Sequence, residues 1–205
     1  TVLKRQPDTD RVSVLVDRVL SSSQRMGRMI EDLLDVTRIR HAGGLALQLG
    51  RADMQSIVQR TLDEVQTSFP DRNIESVLQG DMAGVWDSER LCQVATNIVG
   101  NAIHHGAPDQ PVRVAVDGTQ ASVVTVAVSN GGTIAPELLP HLFDPFRGRD
   151  RAPGRHQGLG LGLFIAHQVV RAHGGRIDVH SQDGTTRFVV ELPRVSPAAE
   201  KWSNT

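Results

Sequence analysis

The sequence of 205 residues is poor in the residues that form covalent and aromatic anchors, with one cysteine, no tyrosine, five phenylalanines and two tryptophans. A single cysteine excludes an internal disulfide and a cysteine-based zinc site. Cys92 lies in an apolar helical run, which indicates packing rather than a reactive thiol. Since aromatics are scarce, Val, Leu, Ile and Ala must form most of the core.

Net charge is also nearly absent, at −1, with a pI near 6.7. Neither nucleic acid nor an anionic membrane is therefore expected as a main partner. No apolar run is long enough to cross a bilayer, and no signal peptide is visible. We expect a cytoplasmic region without membrane contact, with any sensor or membrane segment upstream of Thr1.

Apolar residues spaced alternately by three and four predict one long helix over residues 8–40. Such a stripe is typical of a helical bundle; the alternative is a helix packed on its own domain. The length of the stripe and the break at Ala42-Gly43-Gly44 favour a bundle between two chains. The stripe consists of Val12, Val16, Val19, Ser23, Met26, Ile30, Leu33 and Thr37.

After this break, helical and strand patterns alternate, which predicts an α+β fold with a mixed sheet covered by helices on one face. Asp53 and Asp87 are predicted helix N-caps. The stretch 131–157 is rich in Gly, Pro, Arg and Asp and reads as a loop with a short helix near 136–142. The other predicted helices span 53–69, 87–103 and 159–172, and the predicted strands span 45–49, 74–78, 112–117, 122–129, 177–180 and 186–192.

Asn97 and Asn101 lie four residues apart on the helix that begins at Asp87, so they share one face about a turn apart. Amide oxygens bind a hard cation without adding negative charge, and nucleotide-bound magnesium needs few protein ligands. His104 and His105 follow, placed to meet phosphate or sugar. The alternative is a structural asparagine pair with two surface histidines.

Gly158, Gly160 and Gly162 alternate with Leu159 and Leu161 and pass straight into a predicted helix. Such glycines let the backbone approach phosphates, and a helix N-terminus offers amides to an anion. A loop precedes the run and no Gly-Lys-Ser/Thr follows, so it is neither a dinucleotide-binding fingerprint nor a Walker loop. The alternative, a flexible linker, is disfavoured by the interleaved leucines.

Asn130-Gly131-Gly132 closes a predicted strand. A polar side chain there can read the edge of a flat ring while the glycines make room; the alternative is a simple turn. Phe143 and Phe146 share a loop between glycine segments, which is typical of a lid over a pocket. Arginines beginning with Arg147 follow, suited to phosphate oxygens or to a solvated loop.

The order of these features resembles that of sensor histidine kinases. The asparagine helix, Asn130-Gly131-Gly132, the segment 143–146, the glycine run and Gly184-Thr185-Thr186 are similar to the N, G1, F, G2 and G3 boxes of that family. Residues 25–35 resemble the second helix of its dimerisation domain. The resemblance extends over nearly the whole chain, and the ordered set is more specific than any single motif.

This resemblance implies a Bergerat-type α/β sandwich behind one long helix of a dimerisation bundle. Residues 1–42 would be a partial dimerisation and phosphoacceptor domain without most of its first helix. Residues 43–195 would be the catalytic ATP-binding domain, and 196–205 a polar tail. The implied partners are a second copy of the chain and a response regulator protein.

The resemblance also implies ATP and Mg²⁺ as cofactors. By similarity, Asn101, and with it Asn97, binds magnesium and phosphate, while Asn130 reads the adenine. The remaining residues implied around the nucleotide are Gly132 for approach of the ring, Phe143 and Phe146 as lid anchors, the glycine run around the triphosphate, and Thr185 or Thr186 on the adenine side.

The family phosphorylates a histidine that precedes an acidic residue in the first dimerisation helix, and none of the eight histidines here has that setting. We therefore expect the acceptor upstream of Thr1, name no catalytic residue in the chain, and expect no autophosphorylation by these residues alone. The implied reaction is transfer of the γ-phosphate of ATP to that histidine and then to the response regulator.

Two departures from related patterns define the alternatives. The adenine-reading position is usually Asp in this family and is Asn130 here, which also fits a degenerate module used for dimerisation or partner binding. Asn97 stands where related gyrase-type and MutL-type ATPases have a glutamate that activates water. Its absence favours phosphotransfer over the other alternative, a hydrolysing ATPase of the same superfamily.

Overall fold

A computed structural model of the protein describes residues 9–41, 45–146 and 159–195. It begins with one long helix, α1 (Thr9–His41), as the sequence predicts. The apolar stripe of α1 is largely open to solvent, with Val19 68% and Ile30 59% exposed. Among the α1 side chains that are described, only Asp35 and Val36 are buried, so the helix meets the rest of the chain near its C-terminal end.

The strands form two sheets, and the larger of them is mixed. Strands β1 (Gly50–Asp53) and β3 (Ala83–Trp86) make a two-stranded antiparallel sheet. The five-stranded sheet has the order β2-β4-β5-β7-β6, in which β2 runs parallel to β4 and the other neighbours are antiparallel. Its strands are β2 (Ile74–Gly80), β4 (Val112–Gly118), β5 (Val123–Gly131), β6 (Arg176–Gln182) and β7 (Thr185–Pro193).

Three helices pack on one face of this sheet: α2 (Met54–Ser68), α3 (Ser88–His105) and α4 (Gly162–Ala172). Asp53 and Asp87 are N-caps as predicted, because their carboxylates accept hydrogen bonds from backbone amides in the first turns of α2 and α3. The alternation of β4 places Val112, Val114 and Val116 in the core. The opposite face of the sheet is left uncovered at residues such as Arg113 and Ala115 of β4, which are exposed between the buried valines.

Several predictions of local structure were wrong in detail. Residues 45–49 form no strand. Their side chains alternate between half-buried and exposed because one side of this extended segment lies against the domain. The backbone amide of Gln48 donates to Asp87 Oδ2 instead of to a neighbouring strand. Strands β1 and β3 were both missed, since four residues give too little periodicity. Helix α4 begins at Gly162 rather than at residue 159, because Gly160 has a φ of 69°. Cys92 packs against the core as predicted, although it is only half-buried and accepts a hydrogen bond from Arg60 Nη2 at 2.6 Å.

The short helix near 136–142 is present as a single 3-10 turn, Leu139–His141. No helix within the described residues combines the length and apolarity required to cross a bilayer.

Candidate nucleotide-binding site

Helix α3 brings Asn97, the first residue of the asparagine pair, to the start of α4. Asn97 is half-buried, and a Cβ atom built on Gly162 would stand 3.0 Å from Asn97 Oδ1. Any side chain at position 162 would therefore press on this amide. Asn97 Nδ2 is buried and has no hydrogen-bond partner among the described residues. Asn101 is half-buried one turn further along α3, so Asn97 is the amide that lies where the predicted glycine run enters its helix.

The last turn of α3 places the two predicted histidines at the other end of this site. His104 and His105 are exposed, and the ring of Phe69 meets His104 edge-on with centroids 5.3 Å apart. The carbonyl oxygen of His105 lies 3.6 Å from the position of a Cβ on Gly132. The C-terminal end of α3 is thus next to the turn that closes β5.

Asn130 is 6% exposed and lies near the end of β5, paired with Thr186 of β7. Its Nδ2 donates to the carbonyl oxygen of Gly131 at 2.8 Å, and that oxygen also accepts from the amide of Ala107 at 3.0 Å. A Cβ on Gly106 would lie 3.0 Å from the Cβ of Asn130. The amide predicted to read adenine is therefore held against the loop that follows α3.

A chain of hydrogen bonds holds the Gly132 turn onto β6 and β7. The amide of Ile134 donates to Ser181 Oγ at 2.7 Å, the hydroxyls of Ser181 and Thr186 are 2.9 Å apart, and Thr186 Oγ1 donates to the carbonyl of Gly132 at 2.8 Å. Because the Thr186 proton is committed to Gly132, the Ser181 hydroxyl must be the donor to Thr186. The backbone amide of Gly132, whose φ is 106°, donates to the carbonyl oxygen of Gly184 at 2.7 Å.

This chain distinguishes the two threonines that the sequence left open. Thr186 is 3% exposed and part of the chain, whereas Thr185 is exposed. Ser181 was not among the predicted residues. The only hint in the sequence was that Ser181 lies five residues before Thr186, across the β6–β7 turn. A serine in a strand of alternating exposure does not by itself indicate a functional role.

The two phenylalanines flank the predicted lid. Phe143 stacks on the ring of His167 in α4, with centroids 5.1 Å apart and planes inclined by 24°. Burial and the neighbouring Arg171 lower the pKa of His167, which favours the neutral ring in this stack. The amide of Phe146, a residue with a φ of 64°, donates to the carbonyl of Gly160 at 3.0 Å. The segments on either side of residues 147–158 therefore meet at this bond.

The glycine run is described from Leu159 onward; the predictions for Arg147 and Gly158 lie outside the described residues. Leu161 is 1% exposed and fixes the start of α4 in the core, while Leu159 is half-buried. Helix α4 begins with no side-chain cap, which leaves its first amides available to an anion. The buried leucines agree with the prediction that this glycine run is not a flexible linker.

A buried histidine that the sequence analysis missed joins α4 to α3. His173 is fully buried, its Nε2 accepts from the amide of Asp87 at 3.0 Å, and its Nδ1 donates to the carbonyl of Val169 at 2.8 Å. Burial lowers the pKa of His173, against smaller opposing contributions from Val169 and Asp87. The neutral ring thus fixes the relative position of the two helices that form the site.

Within the described residues, no group of three or more His, Cys, Asp and Glu side chains is arranged to hold a metal ion. A cation at this site would thus depend on the asparagine amides and on oxygens brought by a ligand. This fits magnesium that arrives with a nucleotide, because phosphates and water complete its octahedral shell.

Comparisons with known proteins agree with this arrangement. The family model described as histidine kinase-, DNA gyrase B-, and HSP90-like ATPase matches residues 86–196, more than half of the chain. A bacteriophytochrome of Pseudomonas aeruginosa is 32% identical over 184 residues, which are 89% of this chain and 25% of that protein. The sensor protein SrrB of Staphylococcus aureus is 32% identical over 193 residues, or 92% of this chain and 33% of that protein.

The chain therefore spans a quarter to a third of the length of these curated relatives. Among solved structures, the mycobacterial sensor histidine kinase MprB superposes with a TM-score of 0.62 at 25% identity, over 72% of this chain and 98% of that one. The Acinetobacter baumannii histidine kinase AdeS reaches 0.70 over 92% and 86% of the two chains; at 20% identity this likeness shows the fold alone. The chain belongs to the histidine kinase-, DNA gyrase B- and HSP90-like ATPase family and contains an ATP-binding domain of the sensor histidine kinase kind.

Proposed function

We propose that this chain binds ATP with Mg²⁺ and transfers the γ-phosphate to a histidine upstream of Thr1, from which a response regulator receives it. The main support is that α3 contacts both flanking motifs: Asn97 lies against Gly162 at the start of α4, and the end of the helix lies against the Asn130 turn. Two motifs that are distant in sequence thus flank the helix that bears the asparagine pair. Residues 43–195 would form this catalytic domain, followed by a polar tail at 196–205.

The asparagine amides would hold the magnesium ion through their carbonyl oxygens, with Asn101 as the main ligand and Asn97 beside it. Asn97 Nδ2, which has no described partner, remains available to a phosphate oxygen. When bound, the ion neutralises charge on the phosphates during transfer. The uncapped start of α4 and the glycines before it would take up the remaining phosphate charge.

The base would lie beside Asn130. Its side-chain carbonyl can accept from the adenine amino group, since its Nδ2 is already committed to Gly131. Gly132 would let the ring approach because it has no side chain; a Cβ there would already be in van der Waals contact with the carbonyl oxygen of His105, at 3.6 Å. The hydroxyl of Thr186, which donates to the carbonyl of Gly132, would close the same side of the site from β7.

Phosphotransfer is favoured over hydrolysis because the residue four before Asn101 is an amide rather than a carboxylate. Asn97 cannot accept a proton from water at neutral pH. Transfer between a bound nucleotide and a protein histidine needs mainly positioning and charge neutralisation, which the site can provide.

Residues 1–42 would contribute to a homodimer. The stripe of α1 from Val12 to Leu33 is exposed in the single chain, and its spacing of three and four is that of a bundle seam. We infer that a second copy of the helix, together with the acceptor helix upstream, covers this stripe.

Calorimetric titration of the 205-residue chain with ATP and Mg²⁺ tests the proposal. We expect saturable binding that Asn101→Ala reduces at least tenfold without loss of far-UV circular dichroism. Gln79→Ala is the matched control, since Gln79 is an exposed amide on the uncovered face of the sheet, and it should bind like the wild type. No binding at millimolar ATP would refute the proposal and favour a degenerate module.

Steady ATP turnover by the isolated chain, abolished in Asn101→Ala, would instead identify a hydrolysing ATPase. Addition of the upstream histidine segment in trans separates the two activities. We expect label from [γ-³²P]ATP to appear on that segment and free phosphate to stay at background.

A further inference from the structure

Asp35 of α1 is a buried carboxylate that contacts the ATP-binding domain. Its side chain is 3% exposed, and Oδ2 lies 2.5 Å from Arg90 Nη1 and 3.1 Å from Gln93 Nε2. Arg90 Nη1 also donates to Gln93 Oε1 at 2.9 Å, so the three side chains form a closed network. An ionised carboxylate out of water requires such partners. Here α3 supplies two of them, while Arg38 of α1 itself lies 3.9 Å from Oδ1.

The position of Asp35 on α1 separates this contact from the apolar stripe. At 100° per residue, Asp35 is displaced by about 200° from Leu33 and from Thr37, so it lies on the side opposite the seam. The stripe is free to pack against other helices while Asp35 and the neighbouring Val36, 5% exposed, face the domain. A domain docked through Asp35 therefore sits on the outer surface of a bundle.

The residues that receive Asp35 belong to the helix that forms the candidate site. Arg90 and Gln93 precede Asn97 by seven and four residues on α3, about 10 Å and 6 Å along the helix axis. Close to this contact, Asp87 joins α3 to α4 through His173 and accepts the amide of Gln48 from the connecting segment. The contact through Asp35 thus joins α1 (Thr9–His41), here called the stalk helix or stalk, to the helix that bears the candidate site.

We propose that Asp35 is a positioning residue that docks the ATP-binding domain on the outer face of the stalk helix in one orientation. This contact sets the direction in which the nucleotide site faces relative to the stalk. Any other direction requires that the Asp35–Arg90–Gln93 network opens. The docking itself is independent of nucleotide, whereas its consequence for phosphotransfer rests on the proposed function.

Distances between two spin labels measure the docking directly. In a Cys92→Ser background, Gly27→Cys labels the exposed middle of α1 and Gln120→Cys labels the exposed β4–β5 turn. The labelled chain is diluted into excess unlabelled chain so that only pairs within one chain contribute. We expect one narrow distance distribution, at least a twofold broadening in Asp35→Asn, and a return to a narrow distribution in the reversed pair Asp35→Arg with Arg90→Asp.

Glu89→Gln is the matched control. Glu89 is the neighbour of Arg90 on α3, and its exposed carboxylate pairs with Arg60 of α2 rather than with α1. It should leave the distribution narrow. A broad distribution in the parent protein, an unchanged one in Asp35→Asn, or a reversed pair as broad as Asp35→Asn would each overturn the proposal. So would loss of helical circular dichroism in Asp35→Asn, which would make the residue necessary for folding rather than for docking. The spin-label experiment contains no nucleotide. Its outcomes can therefore be interpreted even if the chain does not bind ATP.

Discussion

The ring of His173, buried at the end of α4, accepts a hydrogen bond from the backbone amide of Asp87 at the start of α3, 86 residues away in the sequence. The same ring donates from Nδ1 to the carbonyl of Val169. The bond from Asp87 requires the neutral ring, because a protonated Nε2 cannot accept, whereas Nδ1 can donate to Val169 in either state. The two helices that enclose the candidate site are therefore joined by a group whose protonation state matters near neutral pH.

Stability should fall with acid through His173. Its folded-state pKa is lowered by burial below the unfolded value of about 6.5, so its contribution is complete above about pH 6.5 and is lost as pH falls below that value. The loss has a limiting slope of about 1.4 kcal/mol per pH unit. Urea unfolding at pH 7.5 and 5.5 measures it.

His173→Gln is the control for this effect, because glutamine offers an acceptor to Asp87 and cannot be protonated in this range. The variant should have lower stability at pH 7.5 but a shallower dependence on pH than the wild type. Parallel pH dependence in the two proteins would exclude His173 as the titrating group.

Gly162→Ala should weaken nucleotide binding without unfolding the domain. The added methyl group would lie 3.0 Å from Asn97 Oδ1, so the amide must shift away from its place in the site. Because alanine favours helix over glycine, stability should change by less than about 1 kcal/mol. We expect about a tenfold loss of affinity for Mg-ATP by titration calorimetry.

Gly27→Ala is the matched substitution, since a Cβ at this position in α1 meets no atom within 4 Å. It should leave affinity unchanged. Equal affinity in Gly162→Ala and the wild type would show that the contact between α4 and Asn97 does not shape the site.

Ser181→Ala should loosen the turn after Asn130. It removes the acceptor of the Ile134 amide and the donor to Thr186, and each lost bond costs on the order of 1 kcal/mol. Hydrogen exchange at the amides of Ile134 and Gly132 should accelerate severalfold, with a parallel loss of ATP affinity. Ser76→Ala, an exposed serine of β2, should alter neither. Unchanged exchange at Ile134 would disprove the assigned chain of hydrogen bonds.

Asn130→Ala should reduce discrimination between bases. If the side-chain carbonyl accepts from the adenine amino group, its removal weakens ATP binding by roughly tenfold or more, the cost of about one hydrogen bond to a buried group. Binding of GTP, which presents a carbonyl at the equivalent ring position, should change little. Competition titrations of both nucleotides measure the ratio. Equal losses for ATP and GTP would indicate that Asn130 acts only through the fold of its turn.

The local elements were largely predictable. The caps Asp53 and Asp87, the stripe of α1 and the alternation of β4 depend on neighbours within a few residues, and each is found near its predicted place. The failures have the same origin. Residues 45–49 alternate like a strand, yet an extended segment becomes one only if a distant strand pairs with it, and here that partner is absent among the described residues.

Local sequence was thus sufficient for the helices, for most strands and for the types of residue expected at a nucleotide site. Packing of distant segments decided which of them meet. Asp35 lies 55 residues from Arg90, and Ser181 lies 47 residues from Ile134. The periodicity of a sequence shows only which side of a helix or strand is buried. A buried polar group has no water to bind, so its partner is a group from another segment that only the tertiary structure brings close.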